Sequence, residues 1–188
     1  MRPTLPTATS VRTDLLIAQY LAVICDLDGV VYRGATPVPG AVETLNRLAA
    51  DDVAVVFATN NASRSPDAVA EHLRELGVGP LGWSVVTSSQ AAAAYLAERL
   101  PKRTPVCAVG GPGVAQALTE VGLAPVGVSE LAGTSVAAVV QGLGIDVTWR
   151  ELAEVGYLVQ GGATWVATNL DLMRSPRGQR ARRTSPAT

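Results

Sequence analysis

A chain of 188 residues has room for one domain or for two small ones. With 48% apolar and 16% charged residues it is not a disordered polypeptide, and with only 4% aromatics its core must be built from Ala, Val and Leu. The net charge of −1 favours neither nucleic acid nor membrane as a partner. It conceals an asymmetry, however: sixteen acids face ten bases up to Asp171, and then five Arg and no acid follow from Leu172 to Thr188.

Residues 1–14, with Pro3 and Pro6 among Ser and Thr, read as a loose leader. The apolar stretch Leu15 to Leu27 is broken by Gln19 and Asp26 and is too short to span a bilayer. Asp14 stands where a signal peptide needs a basic flank. Cys25 and Cys107 are too few for a disulfide framework and suit a reducing cytoplasm.

Leu21 to Leu27 is an almost wholly apolar run, which predicts a buried parallel strand. Val42, Leu45 and Leu48 then recur at helical spacing over residues 40–50. A second apolar strand, Val53 to Ala58, empties into the polar turn 59–66, where Ser65-Pro66 predicts an N-cap with Pro in the first helical turn. That helix runs to Leu76 and stops at Gly77. A short strand, Val85 to Thr87, precedes an Ala-rich helix ending near Leu100, with Ser88 or Ser89 as its N-cap. Strand Val106–Val109, helix Gly113–Val121, strand Val136–Val140, helix Thr148–Val159 and strand Thr164–Thr168 complete the series. This alternation predicts an α/β protein with mostly parallel sheets. Past Asp171 the periodicity ends, and residues 172–188 read as a disordered Arg-rich tail.

The chemistry concentrates in Asp26-Leu27-Asp28-Gly29. Two carboxylates two residues apart leave the carboxyl end of a buried strand, the end at which open α/β sheets bind ligands. One carboxylate suits a nucleophile or metal ligand and the other a proton donor; the plain alternative is that they end a strand and cap a turn. The second string, Thr59-Asn60-Asn61, supplies hydroxyl and amide donors suited to phosphate oxygens, or else an ordinary Asn-rich turn. About one strand–helix–strand unit separates the two strings, so both should emerge on the same edge of a parallel sheet.

Other features read more plainly. Gly110-Gly111-Pro112-Gly113 lacks both the Lys-Ser/Thr ending of a phosphate loop and the dinucleotide fingerprint, and reads as a strand-to-helix turn. His72 reads as a surface residue, since no acidic or Cys/His cluster accompanies it. Cys25 and Cys107 read as inert core. Trp83, Trp149 and Trp165 are too scattered for a stacking platform.

The string Asp26-Leu-Asp28-Gly-Val-Val-Tyr-Arg-Gly34 resembles the first motif of the haloacid dehalogenase (HAD) superfamily of phosphohydrolases. Val38-Pro-Gly40-Ala, Phe57-Ala-Thr-Asn-Asn61, Leu76-Gly77, Val86-Thr-Ser-Ser89, Gly110-Gly-Pro-Gly113 and Thr164-Trp-Val-Ala-Thr-Asn-Leu-Asp171 resemble its para-nitrophenyl phosphatase and pyridoxal phosphatase subgroup, subclass IIA. The resemblance covers roughly residues 20–171. It implies a partial Rossmann-like parallel-sheet core over residues 15–102 and an incomplete α/β cap of the C2 type over residues 103–171. It further implies that Asp26 attacks a phosphomonoester, that Asp28 protonates the leaving group, and that Gly29, Thr59, Asn60 and Asn61 bind the phosphoryl group. Mg²⁺ would be held by Asp26 and by the backbone carbonyl of Asp28. The expected ligand is a small phosphorylated metabolite; neither nucleic acid nor membrane is an expected partner, and pairing through the cap is the expected oligomer.

The family pattern also includes a downstream lysine and a Gly-Asp…Asp motif. The sole lysine here is Lys102, and no Gly-Asp pair follows residue 171. These departures lead to the expectation of a C-terminally truncated or frameshifted chain, weakly active or inactive alone. The alternative is a non-catalytic remnant, or one half of a split protein that needs a partner chain. A receiver-type phosphoacceptor domain fits less well, because its acidic pair should be adjacent and its acceptor Asp should lie on a later strand.

Overall fold

The computed structural model describes residue 17 and residues 20–170, residue 81 excepted. The expected leader (1–14) and Arg-rich tail (172–188) lie outside the described residues.

The apolar run after Leu21 forms strand β1 (Ala22–Asp26). The chain then turns through a small antiparallel hairpin of β2 (Tyr32–Arg33) and β3 (Thr36–Pro37) into helix α1 (Ala41–Ala50). Strand β4 (Ala54–Thr59), helix α2 (Pro66–Glu75) and strand β5 (Trp83–Thr87) follow. β1, β4 and β5 make a parallel three-stranded sheet in that order. One face carries Cys25, Phe57 and Val85, which stand level across the sheet and pack against Val42, Leu45 and Leu48 of α1 and Val69 and Leu73 of α2. The other face carries Ile24 and Val86, which are 78% and 45% exposed.

Helix α3 (Ser88–Ala97) leads to a second unit: β6 (Pro105–Val109), α4 (Pro112–Glu120), β7 (Ala124–Gly127), a 3-10 turn at Val128–Glu130, β8 (Ala138–Gln141), α5 (Trp149–Gln160) and β9 (Thr164–Ala167). Its four strands are parallel and ordered β7-β6-β8-β9. Both faces are covered: Val106, Ala138 and Val140 lie against α4, while Cys107, Val109 and Val139 form a cluster with Val155 of α5. Mixed α/β architecture with parallel sheets is thus what the sequence predicts.

Several local expectations need correction. Thr87, rather than Ser88 or Ser89, caps α3: its hydroxyl accepts the Gln90 N–H at 3.2 Å, while Gln90 Oε1 accepts the Thr87 N–H at 3.0 Å. The reciprocal pair satisfies two of the donors that a helix start leaves open. Strand β7 and the β2–β3 hairpin were not foreseen. β7 contains Pro125, which cannot donate to a ladder, and the strand tolerates it by lying at a sheet edge. Ser65 caps α2 as expected, accepting the Ala68 N–H at 3.2 Å with Pro66 in the first turn.

Candidate active site

Register places the acidic pair. Asp26 ends β1 opposite Ala58 of β4, one residue before Thr59, and Thr59 in turn stands opposite Thr87 of β5. Neighbouring strands lie about 4.8 Å apart, so Asp26, Thr59 and the Thr87–Ser88 corner sit side by side on one carboxyl edge. Asp26 is exposed and Asp28 half-buried. The Leu27 N–H donates to Asp26 Oδ1 at 2.8 Å, which fixes the carboxylate orientation. Beyond it the backbone doubles back tightly, with the Val31 and Tyr32 N–H groups both donating to the Leu27 carbonyl, at 2.9 and 3.2 Å. Asp28 bridges to Tyr32. Gly29 turns the corner at φ 87, a conformation that costs an L-residue with a Cβ about 1–2 kcal/mol.

The second string is equally built. Thr59 is 6% exposed, and its Oγ1 accepts the Asn61 N–H at 3.1 Å, leaving its O–H to donate. Asn61 Oδ1 accepts both the Ser63 N–H, at 3.1 Å, and the Ser63 hydroxyl, at 2.7 Å. Asn60 lies exposed at the crest of the turn, where the Ser88 hydroxyl donates to its carbonyl at 3.1 Å. Asp26, Thr59 and the turn that follows Thr59 therefore lie on the same sheet edge, as their spacing implies. Two expected donors are already engaged: the Gly29 N–H binds the Tyr32 carbonyl at 2.7 Å, so Gly29 serves the turn, and the Asn61 N–H is spent on Thr59 Oγ1, which leaves Asn61 its side-chain NH2 to offer.

Sequence reasoning missed how this turn is seated. Ala62 is fully buried among Val114, Ala117 and Val140 of the second unit. A Cβ at Gly111 would lie 2.3 Å from the Ser63 carbonyl oxygen, and one at Gly113 2.4 Å from that of Arg64. The glycines of the 110–113 turn thus make room for the 62–64 backbone. A cleft of about 540 Å³ opens beside this contact, lined by Ser63, Arg64, Gly111, Ser129, Ile145 and Glu151 among others. His72, read from the sequence as a surface residue, has a side chain only 13% exposed. Trp149 and Trp165 are 83% and 56% exposed, whereas Trp83 packs edge-on against Phe57.

Oxygen donors only, from two carboxylates and neighbouring backbone, match what Mg²⁺ takes from a protein when it keeps several waters. Among the described residues no cluster of three or more His, Cys, Asp or Glu could hold a metal unaided. The acidic pair therefore fits Mg²⁺ as part of a shell that substrate oxygens and water complete.

The sequence profile of haloacid dehalogenase-like hydrolases matches residues 23–124, which is more than half of the chain and includes both strings. The chain belongs to that family. As a HAD-like hydrolase it is 44% identical over 148 residues to the D-glycerol 3-phosphate phosphatase of Mycobacterium tuberculosis, a match that covers 79% of this chain and 40% of the relative. It superposes with a TM-score of 0.76 on the crystal structure of the glycerol phosphate phosphatase from Mycobacterium tuberculosis in complex with magnesium, at 41% identity, covering 85% of this chain and 48% of that one. A putative p-nitrophenyl phosphatase from Bacillus subtilis matches with a TM-score of 0.69 and 29% identity, over 85% of this chain and 60% of the other. The chain spans about half the length of these relatives. No helix among the described residues is long and apolar enough to cross a membrane.

Proposed function

We propose that this HAD-like hydrolase chain carries the nucleophile half of a Mg²⁺-dependent phosphomonoesterase acting on a small phosphorylated metabolite in a reducing cytoplasm. The observation that carries the reading is the shared edge: Asp26 and Asp28 beyond β1, with Thr59 one register step away on β4. The names of the relatives support the substrate class, because each is a phosphatase.

In this reading Asp26 Oδ2, the oxygen that Leu27 does not hold, attacks phosphorus. The P–O bond to the leaving group breaks as Asp28 delivers its proton to the departing oxygen. A water then attacks the aspartyl-phosphate, Asp28 takes up that water's proton, and phosphate leaves as the Asp26–phosphorus bond breaks. The Thr59 hydroxyl, the Asn60 amide and the side-chain NH2 of Asn61 bind the equatorial oxygens, so the work is positioning and charge neutralisation. Mg²⁺, held by Asp26 and the Asp28 carbonyl, would offset charge between the carboxylates and a dianionic phosphate. The second unit, residues 103–171, acts as the cap that selects substrate, and it is the surface on which two copies would pair.

A second reading gains support from the uncovered sheet face. Parallel sheets are ordinarily buried on both sides, yet Ile24 and Val86 on this face are 78% and 45% exposed, and β1 is an edge strand among the described residues. We infer that the chain works as one half of a split enzyme, whose partner chain lays an α/β layer on this face and adds a strand beside β1. Alone, with two carboxylates and Lys102 distant at the join between the units, it should turn over slowly.

The test measures Mg²⁺-dependent release of phosphate from a panel of sugar, glycerol and aromatic phosphomonoesters. The chain is assayed alone and together with a separate chain encoding the remaining half of a relative. Activity that appears or rises on mixing, and is lost in Asp26→Asn, is the expected result. No phosphate release in either arrangement, from folded protein, would overturn the hydrolase reading.

A further inference from the structure

His72 ties the helix behind the site to the loop that carries Asp28. Its Nε2 lies 3.1 Å from the carbonyl oxygen of Gly34, which caps the β2–β3 hairpin, and its Nδ1 lies 3.5 Å from Glu75 Oε2. Its ring meets the Tyr32 ring edge-on, centroids 4.8 Å apart at 76°. Tyr32 is 6% exposed, receives the Gly29 N–H on its carbonyl and bridges to Asp28. A carbonyl oxygen can only accept, so the hydrogen bond to Gly34 requires a proton on Nε2, whether or not Nδ1 carries one toward Glu75 as well. One imidazole thus grips the hairpin twice, by ring edge and by N–H. The hairpin, only two residue pairs long, is too short to be stable by itself.

We propose that His72 is a positioning residue: by holding Tyr32 and Gly34 against α2 it sets the geometry of the Asp28–Gly29 turn. The role assigned to that turn rests on the phosphomonoesterase reading, but the tether itself does not. The contacts His72 makes to Gly34 and Tyr32 are contacts to the hairpin, and it acts through them.

Being the chain's one histidine, it gives isolated signals. Nitrogen-15 NMR of the unmodified chain should show a proton on Nε2. In His72→Phe, which keeps a ring but drops the N–H, amide exchange over residues 27–38 should quicken about fivefold, the factor that one ordinary hydrogen bond represents. In His72→Ala it should quicken further, with α3 exchanging at its original rate in both. The Asp28 and Gly29 amide resonances should move in both variants while that of Asn60 stays in place. A ring protonated on Nδ1 alone, or exchange over 27–38 that rises no more than exchange over α3, would overturn the tether. The Nε2 proton is read on the native chain, so the test survives variants that fail to fold. None of these readouts needs substrate, so a failed phosphatase assay leaves them intact.

Discussion

Cys107 stands in the middle of β6 with no exposed surface, and burial pushes its thiol from an ordinary 9.0 up to about 11. The folded chain therefore favours the protonated form. Its contribution to stability is whole below pH 9 and is lost as the pH rises toward 11. Thermal unfolding followed from pH 8 to 11 should show a falling Tm, with a shallower fall in Cys107→Ala, even though that variant begins lower because of the cavity it leaves. Cys25 is also raised, by burial first and by the Asp26 charge second, but it is half-buried rather than sealed. A thiol reagent at neutral pH should modify Cys25 well before Cys107. The opposite order would show that the second unit opens more readily than the strand beside the acids.

Helix α4 illustrates how an element serves a site it does not contain. Its first turn holds Gly113, where an added Cβ would meet the Arg64 carbonyl oxygen at 2.4 Å and the Ala62 carbonyl oxygen at 2.9 Å. Those atoms are backbone, so Gly113→Ala has to displace the turn that follows Thr59. It should cost about 1–3 kcal/mol, read as a lower urea midpoint, and should shift the Asn60 and Asn61 amide resonances across the interface. An unchanged midpoint with unmoved resonances would mean that the two units are not in register as described. The acidic pair and the Thr-Asn-Asn turn were legible from sequence because an apolar parallel strand ends at a fixed edge, and local pattern suffices to find such ends, although β1, expected to be buried, has one face exposed. The seating of Ala62 was not, because the glycines that permit it lie some fifty residues away and look like any strand-to-helix turn. The hairpin was illegible for a related reason: two-residue strands have no period to detect. His72 was misread because its partners, Tyr32 and Gly34, are met only after the chain has folded back.

At the scale of the molecule, the two sheets are not treated alike. The four-stranded sheet is covered on both faces, while the three-stranded one leaves Ile24 of β1 and Val86 of β5 to solvent, and β1 has an open edge among the described residues. Such an edge is a template for unwanted strand pairing. Ile24→Lys should raise the concentration at which light scattering first appears, with little loss of Tm, because the side chain leaves no core behind. If aggregation is unchanged, the sticky surface lies elsewhere. The same variant should weaken assembly with a completing half chain, so that solubility and complementation move in opposite directions.

Helix α3 ends before the stretch Pro101–Pro105, yet Ala92, Ala93 and Leu96 lie in the same buried cluster as Val114, Ala117 and Leu118. The natural place to cut the polypeptide is therefore not the natural place to cut its interior. A protease that nicks the backbone after Lys102 would sever one covalent link and leave the oily seam between α3 and α4 closed. The two pieces would travel together through a sizing column as though nothing had happened.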